Sequence, residues 1–100
     1  MTNTITLVRH RVDDFDGWKR AYDEFASIQA EHGVRAHQVL RSIESPNDVV
    51  VTHTFDSRDV AQAFFARPEL KEAMSEAGVN ADSVEISYFD EVEAGSLVSV

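Results

Sequence analysis

The sequence predicts an α+β domain in which two helical segments cover one face of a four-stranded antiparallel sheet. Segments with strand-like or helix-like polarity come in the order strand, helix, strand, strand, helix, strand. Glycine, proline and acidic turn residues stand at the boundaries between them. This order, with a hairpin in its middle, describes a ferredoxin-like βαββαβ sandwich.

The first strand and the first helix come from the N-terminal third of the chain. Strand one is expected at Thr4–Val12, where polarity alternates. Helix one is expected from Asp16 to Glu31, capped by Asp14 or Asp16, because negative charge stabilises a helix N-terminus. Gly33 ends it. Its apolar stripe has the spacing of one helix face and consists of Phe15, Trp18, Tyr22, Phe25 and Ile28.

The middle of the chain predicts a hairpin. Strand two is expected at Val34–Ile43 and strand three at Val49–Phe55, joined by the turn formers of residues 45–48. The β-branched composition of strand three is typical of a central strand.

Helix two and strand four complete the predicted fold. Helix two begins near Ser57 and breaks before Pro68, which suits the first turn of a further helical piece, Glu69–Ala77. Gly78 ends that piece, and strand four follows at Ser83–Val92.

Composition limits the classes of function. One hundred residues fit a single domain, residues 1–100. Eighteen acidic and nine basic residues give a net charge of −9, which repels phosphate backbones, so no nucleic acid partner is expected. No stretch reaches the roughly 20 apolar residues of a membrane span, so we expect no membrane partner and a cytoplasmic location. Zero cysteines exclude disulfides and thiolate chemistry.

The uncovered face of the sheet predicts self-association. Alternate residues of a strand point to opposite faces, so either Ile5 and Leu7 or Val8 and Val12 point away from the helices. Both pairs are apolar, and an uncovered apolar face would be a large exposed patch. A second copy of the sheet would cover it in a closed two-fold homodimer. The tail Leu97–Val100 either adds an edge strand to the partner or is a frayed terminus.

Two stretches carry a resemblance to a known family. They are RHRVDDFDGWKRAYDEF (Arg9–Phe25) and VVVTHTFDSRDVAQAFFARPELKEAMSEAGV (Val49–Val79). With the order of elements, they resemble the dimeric α/β-barrel superfamily and, within it, the antibiotic biosynthesis monooxygenase-like (ABM domain) branch. The resemblance covers about Leu7 to Val92. It implies a homodimer whose two sheets form a barrel, with a pocket between sheet and helices in each subunit.

The resemblance implies several activities rather than one. Some members oxidise polyketide anthrones without metal or flavin, whereas others degrade haem, isomerise small acids or have no assigned role. The haem-degrading members use an asparagine, a tryptophan and a histidine. Here Asn3 precedes the first strand and Trp18 lies on helix one, so that triad is not reproduced. We therefore expect no cofactor.

Three strand histidines are the candidate bases. His10, His37 and His53 lie on strands that are neighbours in a ferredoxin-like sheet, but a one-residue slip of the hairpin would reverse their facing. Imidazole titrates near neutrality, which suits a general base or a proton shuttle. His10 and His53 are the catalytic candidates; the alternative is a histidine hydrogen-bonded to a neighbouring group. No HxH or HxxxH spacing supports a metal site, and none is expected.

Aromatic residues are the candidates for binding a substrate. A stripe at helical spacing is first of all core, but tyrosine and tryptophan also suit a pocket because each joins an apolar body to a polar group. The candidates for a slot that holds a planar ligand are Trp18, Tyr22, Phe25, Phe64 and Tyr88.

The leading hypothesis is a small homodimeric protein that binds an aromatic or polyketide-like molecule between helices and sheet. If it is an enzyme, we expect a cofactor-independent monooxygenase or a polyketide cyclase, in which His10 or His53 removes a proton from a phenol or from a carbon beside a carbonyl. The alternatives are a non-catalytic ligand-binding dimer and a structural dimer whose pocket is filled with side chains.

Overall fold

The computed structural model describes residues 2–97, which form four strands and four α-helices. None of the helices in this range is long and apolar enough to cross a membrane. A 3₁₀ turn at Ala81–Ser83 precedes the last strand. The elements in chain order are β1 (Thr4–Arg11), α1 (Phe15–Glu24), α2 (Ala26–Glu31), β2 (Ala36–Arg41), β3 (Asp48–Phe55), α3 (Arg58–Phe65), α4 (Pro68–Glu76) and β4 (Glu85–Asp90).

The strands form one antiparallel sheet in the order β2-β3-β1-β4. This is the ferredoxin-like order, so the predicted fold class is confirmed. The hairpin of β2 and β3 is confirmed as well. β3 lies between β2 and β1, so it is the central strand that its β-branched composition predicted.

Alternation along β1 shows which sheet face the helices cover. Thr6, Val8 and His10 are buried, whereas Ile5 and Leu7 are only partly buried and lie on the opposite face. Ile5 and Leu7 are therefore the pair that points away from the helices, which resolves the alternative left by the sequence. The register adds further apolar side chains to this open face, namely Leu40, Val50 and Phe89.

The core lies between the helices and the covered face of the sheet. One buried cluster joins Trp18 of α1 to Val49 and Val51 of β3. The other joins Phe55 of β3 to Phe64 of α3, with ring centroids 5.6 Å apart. Both clusters rest on β3, so this strand anchors the two halves of the helical layer.

The single helix predicted over residues 16–31 is wrong at Phe25, where the structure has two helices. The Phe25 N–H contacts the carbonyl oxygens of Ala21 at 3.2 Å and Tyr22 at 3.1 Å. Sharing the donor in this way tightens the turn towards 3₁₀ geometry and separates α1 from α2. The predicted start is confirmed, because an Asp14 side-chain oxygen accepts a hydrogen bond of 2.9 Å from the Gly17 N–H.

Three predicted strands are longer than the observed ones. Val12 forms only an isolated bridge to Val79 beyond β1, β2 covers 36–41 instead of 34–43, and the 3₁₀ turn replaces the start of strand four. The helix break before Pro68 and the end at Gly78 are confirmed. Residues 98–100 of the predicted tail strand lie outside the described residues, and Leu97 is fully exposed.

We expect Gly33→Ala to lower the free energy of unfolding by about 1–3 kcal/mol. Gly33 has φ +96°, and a Cβ atom there would lie 2.5 Å from Cγ1 of Val60. Urea unfolding followed by Trp18 fluorescence measures the change. Gly95→Ala is the matched control, because a Cβ atom at Gly95 meets nothing within 4 Å. Equal stability of the two variants would show that position 33 does not require a glycine.

Candidate functional site

A cavity of about 60 Å³ lies between the covered face of the sheet and the helices. Most of its wall is apolar, and a few polar groups project from it, which is typical of small-molecule sites. The sheet contributes Val8, His10, Val51 and His53, and the helices contribute side chains from α1, α2, α3 and α4. Both histidines proposed as bases therefore lie on the wall of one cavity.

His53 is the more constrained of the two histidines. Only 5% of it is exposed, and its Nε2 atom lies 2.9 Å from the Tyr22 hydroxyl. Its Nδ1 atom is buried and has no hydrogen-bond partner among the described residues. Burial, and secondarily the nearby His37, lower the pKa of His53 to about 4. At neutral pH the imidazole is therefore uncharged.

Tyr22 connects the helices to the sheet through this contact. Burial raises the pKa of Tyr22, although a hydrogen bond to the side chain of Gln29 opposes the shift. The phenol thus stays protonated at neutral pH. Its ring lies parallel to His53, with centroids 6.1 Å apart, and 5.9 Å from the His37 ring.

His10 occupies the other end of the same wall. It is 4% exposed, and its ring meets Trp18 edge to face with centroids 5.5 Å apart. Its Nδ1 atom is also buried without a partner in residues 2–97. Burial lowers the pKa of His10 below its ordinary value. Two imidazoles that are uncharged at neutral pH thus line the cavity, and each has one ring nitrogen without a partner among the described residues.

The hairpin register decides the facing of the third histidine. His37 pairs directly with His53, so all three strand histidines share the covered face. His37 lies on the edge strand, is exposed, and is not part of the cavity wall. Within residues 2–97, no three histidine or acidic side chains converge as a metal site would require.

Four of the five predicted substrate-binding residues line the cavity. Tyr88 differs, because β4 is an edge strand: its ring packs edge-on against Phe65 with centroids 6.3 Å apart, and 37% of the residue is exposed. The expectation that Tyr88 faces this cavity is therefore wrong. The four on the wall are Trp18, Tyr22, Phe25 and Phe64.

Gln29 is a wall residue that the sequence reasoning missed. It is 5% exposed and lies on the same helical stripe as Tyr22 and Phe25, seven and four positions further on. The signal in the sequence was a polar residue at the helical spacing of the aromatic stripe. Leu70, Ala73 and Met74 of α4, and Ala77 directly after it, are on the wall and were missed as well.

These features define a small ferredoxin-like domain with two buried histidines in an apolar cavity. Residues 1–76 match the family described as antibiotic biosynthesis monooxygenase. The match covers most of the chain, and the protein belongs to this family. No curated protein matches the chain in sequence.

Solved structures support the same fold. SnoaB from Streptomyces nogalater, a cofactor-independent oxygenase, is similar at 16% identity over 99% of this chain and 100% of its own, with a TM-score of 0.74. A proposed antibiotic biosynthesis monooxygenase from Caulobacter crescentus is similar at 18% identity over 92% of both chains, also with a TM-score of 0.74. At this level of identity, the likeness concerns the fold alone.

The buried state of His53 predicts a pH dependence of stability. The pKa of a histidine in the unfolded chain is about 6.5, whereas the pKa of His53 in the folded protein is about 4. Between these two pH values, His53 is protonated in the unfolded chain and uncharged in the folded protein. The free energy of unfolding therefore falls as the pH drops through this window. Between about pH 7 and about pH 4.5, we expect His53→Gln to remove roughly 2–3 kcal/mol of that loss.

Urea unfolding at the two pH values measures this difference. His32→Gln is the matched control, since His32 pairs with Arg67 outside the cavity. The control should lose as much stability on acidification as the unmodified protein. An identical loss in His53→Gln would show that His53 is not buried in its neutral form.

Proposed function

We propose that this protein binds a planar aromatic or polyketide-like molecule between its sheet and helices and oxidises it with molecular oxygen, without a cofactor. One observation carries the proposal. His10 and His53 both line one apolar cavity, and the Nδ1 atom of each is buried without a partner among the described residues. An unsatisfied buried polar group costs about 1–3 kcal/mol, and a ligand oxygen that pairs with it would recover that cost.

The protonation states support a role as base. Burial lowers the pKa of both histidines, so each is free to accept a proton at neutral pH. Without a ligand, His53 has a pKa of about 4 and is a weak base. A phenolate or enolate formed beside it stabilises the imidazolium, because an opposite charge within a few ångströms favours the charged form. Proton transfer is therefore favoured only with the ligand in place.

The proposed reaction begins at a CH₂ group that lies between rings bearing phenol or carbonyl groups. The histidine takes one proton, and the carbanion transfers its electrons to oxygen as a C–O bond forms. The histidine returns the proton to the outer oxygen, which gives a hydroperoxide. Loss of water breaks the O–O bond and leaves a carbonyl, so one oxygen atom enters the product and the other leaves as water. The same carbanion could instead close a ring.

The aromatic wall supports the binding of a flat molecule. Trp18 and Tyr22 lie with ring centroids 5.1 Å apart on one side of the cavity, and Phe64 approaches His53 at 6.0 Å on another. These rings exclude water, which strengthens the interaction between the histidine and a developing charge.

The size of the cavity favours a second candidate, a structural protein whose pocket is filled. Trp18 is 3% exposed and Phe64 is 2% exposed, and about 60 Å³ holds only about two water molecules. In this alternative the aromatic side chains are core, and the protein binds nothing there. Oxygen consumption separates it from the leading proposal.

We expect the protein to accelerate oxygen uptake by dithranol, a hydroxyanthrone used as the probe. His10→Gln and His53→Gln are compared, and replacing the histidine that acts as the base should slow uptake by about 10²–10⁴-fold. His32→Gln is the control outside the cavity and should retain full activity. Binding of dithranol without oxygen uptake would support a non-catalytic binding protein, and neither binding nor uptake would support the filled core.

We further propose that the protein is a homodimer joined through the open faces of the two sheets. Ile5, Leu7 and Val50 lie on this face, and Leu40 and Phe89 there are 50% and 51% exposed. Such an apolar face supports burial against a second copy in a closed two-fold dimer. A cytoplasmic location, without nucleic acid or membrane partners, remains part of the proposal.

We expect Leu40→Glu and Phe89→Glu to convert the dimer to a monomer, because each places a carboxylate in the apolar interface. Sedimentation equilibrium measures the change. Ile43→Glu is the matched control, since Ile43 is 99% exposed and lies in the β2–β3 turn rather than on a strand. A monomeric unmodified protein would disprove the sheet-face dimer.

A further inference from the structure

A second cavity, of about 210 Å³, lies beside the cavity that holds the histidines. The two cavities have three wall residues in common, Phe65, Leu70 and Met74. These three side chains form a partition with one space on each side. The other wall residues of the second cavity are Lys71, Ser75, Val79, Ala81, Val84 and Ile86.

The partition has a fixed part and a part that moves at lower cost. Phe65 packs against Phe55 and Phe64 in the core, whereas Leu70 and Met74 belong to α4, in which no residue is fully buried. Methionine has three rotatable bonds and adapts readily to irregular space. The N-terminus of α4 has no side-chain hydrogen bond from its cap, Arg67. Rotation of Met74, together with a small shift of α4, would therefore open the partition while Phe65 stays in place.

The volumes indicate why the partition should open. An engineered protein cavity of about 150 Å³ holds one benzene ring. The cavity beside His10 and His53, at about 60 Å³, is smaller than that, whereas the two cavities together are larger. A ring system therefore does not fit beside the histidines alone, and the second cavity is an adjacent apolar space into which it can extend.

The second cavity also has two polar residues in an otherwise apolar wall. Its wall is apolar except for Lys71 and Ser75, both of which are exposed. Lys71 is the cationic residue among those that line this cavity, in a chain whose net charge is −9. A ligand carboxylate beside these two residues would meet a cation and a hydroxyl, while its apolar body lay against the partition.

We infer that the partition opens on binding, and that the ligand is a fused-ring aromatic molecule carrying an anionic group at the end away from the histidines. This inference rests on the proposed function, because the histidine cavity is taken as the reacting end. It adds the second cavity as a subsite. In that subsite, Lys71 gives an anionic ligand tighter binding than a neutral one.

Two probes with the same shape test the inference. Anthracene-2-carboxylate carries the anionic group, and anthracene-2-carboxamide is its neutral counterpart. Fluorescence titration of the unmodified protein should give tighter binding of the carboxylate by about two- to fivefold, the range of an exposed ion pair. Lys71→Met should abolish that preference without weakening the amide, and Lys19→Met, which removes the same charge from α1, should leave it intact.

The spatial claim is tested by filling the second cavity. Val84→Trp should weaken both probes at least tenfold, and Ala81→Phe is a smaller filling change in case the first variant fails to fold. Val92→Trp places the same side chain at a position that is 93% exposed and outside both cavities. It should bind both probes as the unmodified protein does.

Nuclear magnetic resonance shows whether one molecule spans both cavities. The chain has two methionines, Met1 and Met74, so labelled methionine methyl groups report on the partition directly. One equivalent of the carboxylate should shift the Met74 methyl resonance together with the ring resonances of His10 or His53. A shift of Met74 without either histidine, no binding of either probe, or full binding by both folded filling variants would overturn the inference.

These outcomes are separable from those of the proposed function. A protein that binds the carboxylate across both cavities but does not accelerate oxygen uptake by dithranol retains the subsite and loses the oxygenase. A protein that oxidises dithranol while Val84→Trp and Ala81→Phe keep full activity and full probe binding retains the oxygenase and loses the subsite.

Discussion

The antiparallel pairing of β1 with β3 is the constraint on which the rest of the structure depends. Thr6 pairs with His53, and His10 pairs with Val49, so both buried histidines lie on the face that the helices cover. A slip of one residue would turn β1 over relative to β3, so that His10 moved to the open face, His53 stayed on the covered face, and Ile5 and Leu7 lay under the helices. The register of two neighbouring strands therefore positions the candidate site and leaves the apolar open face at the same time.

The covered face has an unusual distribution of polar groups for a sheet under helices. Thr6 is fully buried, and its hydroxyl, like the Nδ1 atoms of His10 and His53, has no hydrogen-bond partner among the described residues. Buried polar groups are usually satisfied, and exceptions call for an explanation. A purely structural sheet would gain stability by replacing these side chains with apolar ones. Two of these three residues, His10 and His53, line one cavity, and this is the strongest argument that the cavity binds a ligand.

The two sides of the helical layer hold the cavity differently. On one side, α1 places Trp18 firmly in the core beside Val49 and Val51, and Tyr22 is hydrogen-bonded to His53. On the other side, α4 contributes no fully buried residue, and Leu70 and Met74 separate the two spaces. The histidines thus contact well-packed side chains of α1, whereas α4 forms the less buried part of the wall.

Much of this protein was determined by the sequence itself. Alternation and turn residues predicted the four strands and their ferredoxin-like order, and the aromatic spacing predicted Trp18, Tyr22, Phe25 and Phe64 on one wall. The break at Phe25 was not predictable, because it depends on a donor shared between two carbonyl groups. The place of Tyr88 was not predictable either, because its exposure depends on how far the helices reach over an edge strand.

Only the tertiary structure decided three features. They are the sheet face on which the histidines lie, the presence of Gln29 and α4 on the cavity wall, and the separation of two cavities. Each of these depends on a register or a packing distance between residues far apart in the chain. Periodicity assigns a residue to one side of its own helix or strand, but it does not specify which residue of another element lies opposite. The sequence therefore determined the elements and their order, and the pairing of distant segments decided what those elements enclose.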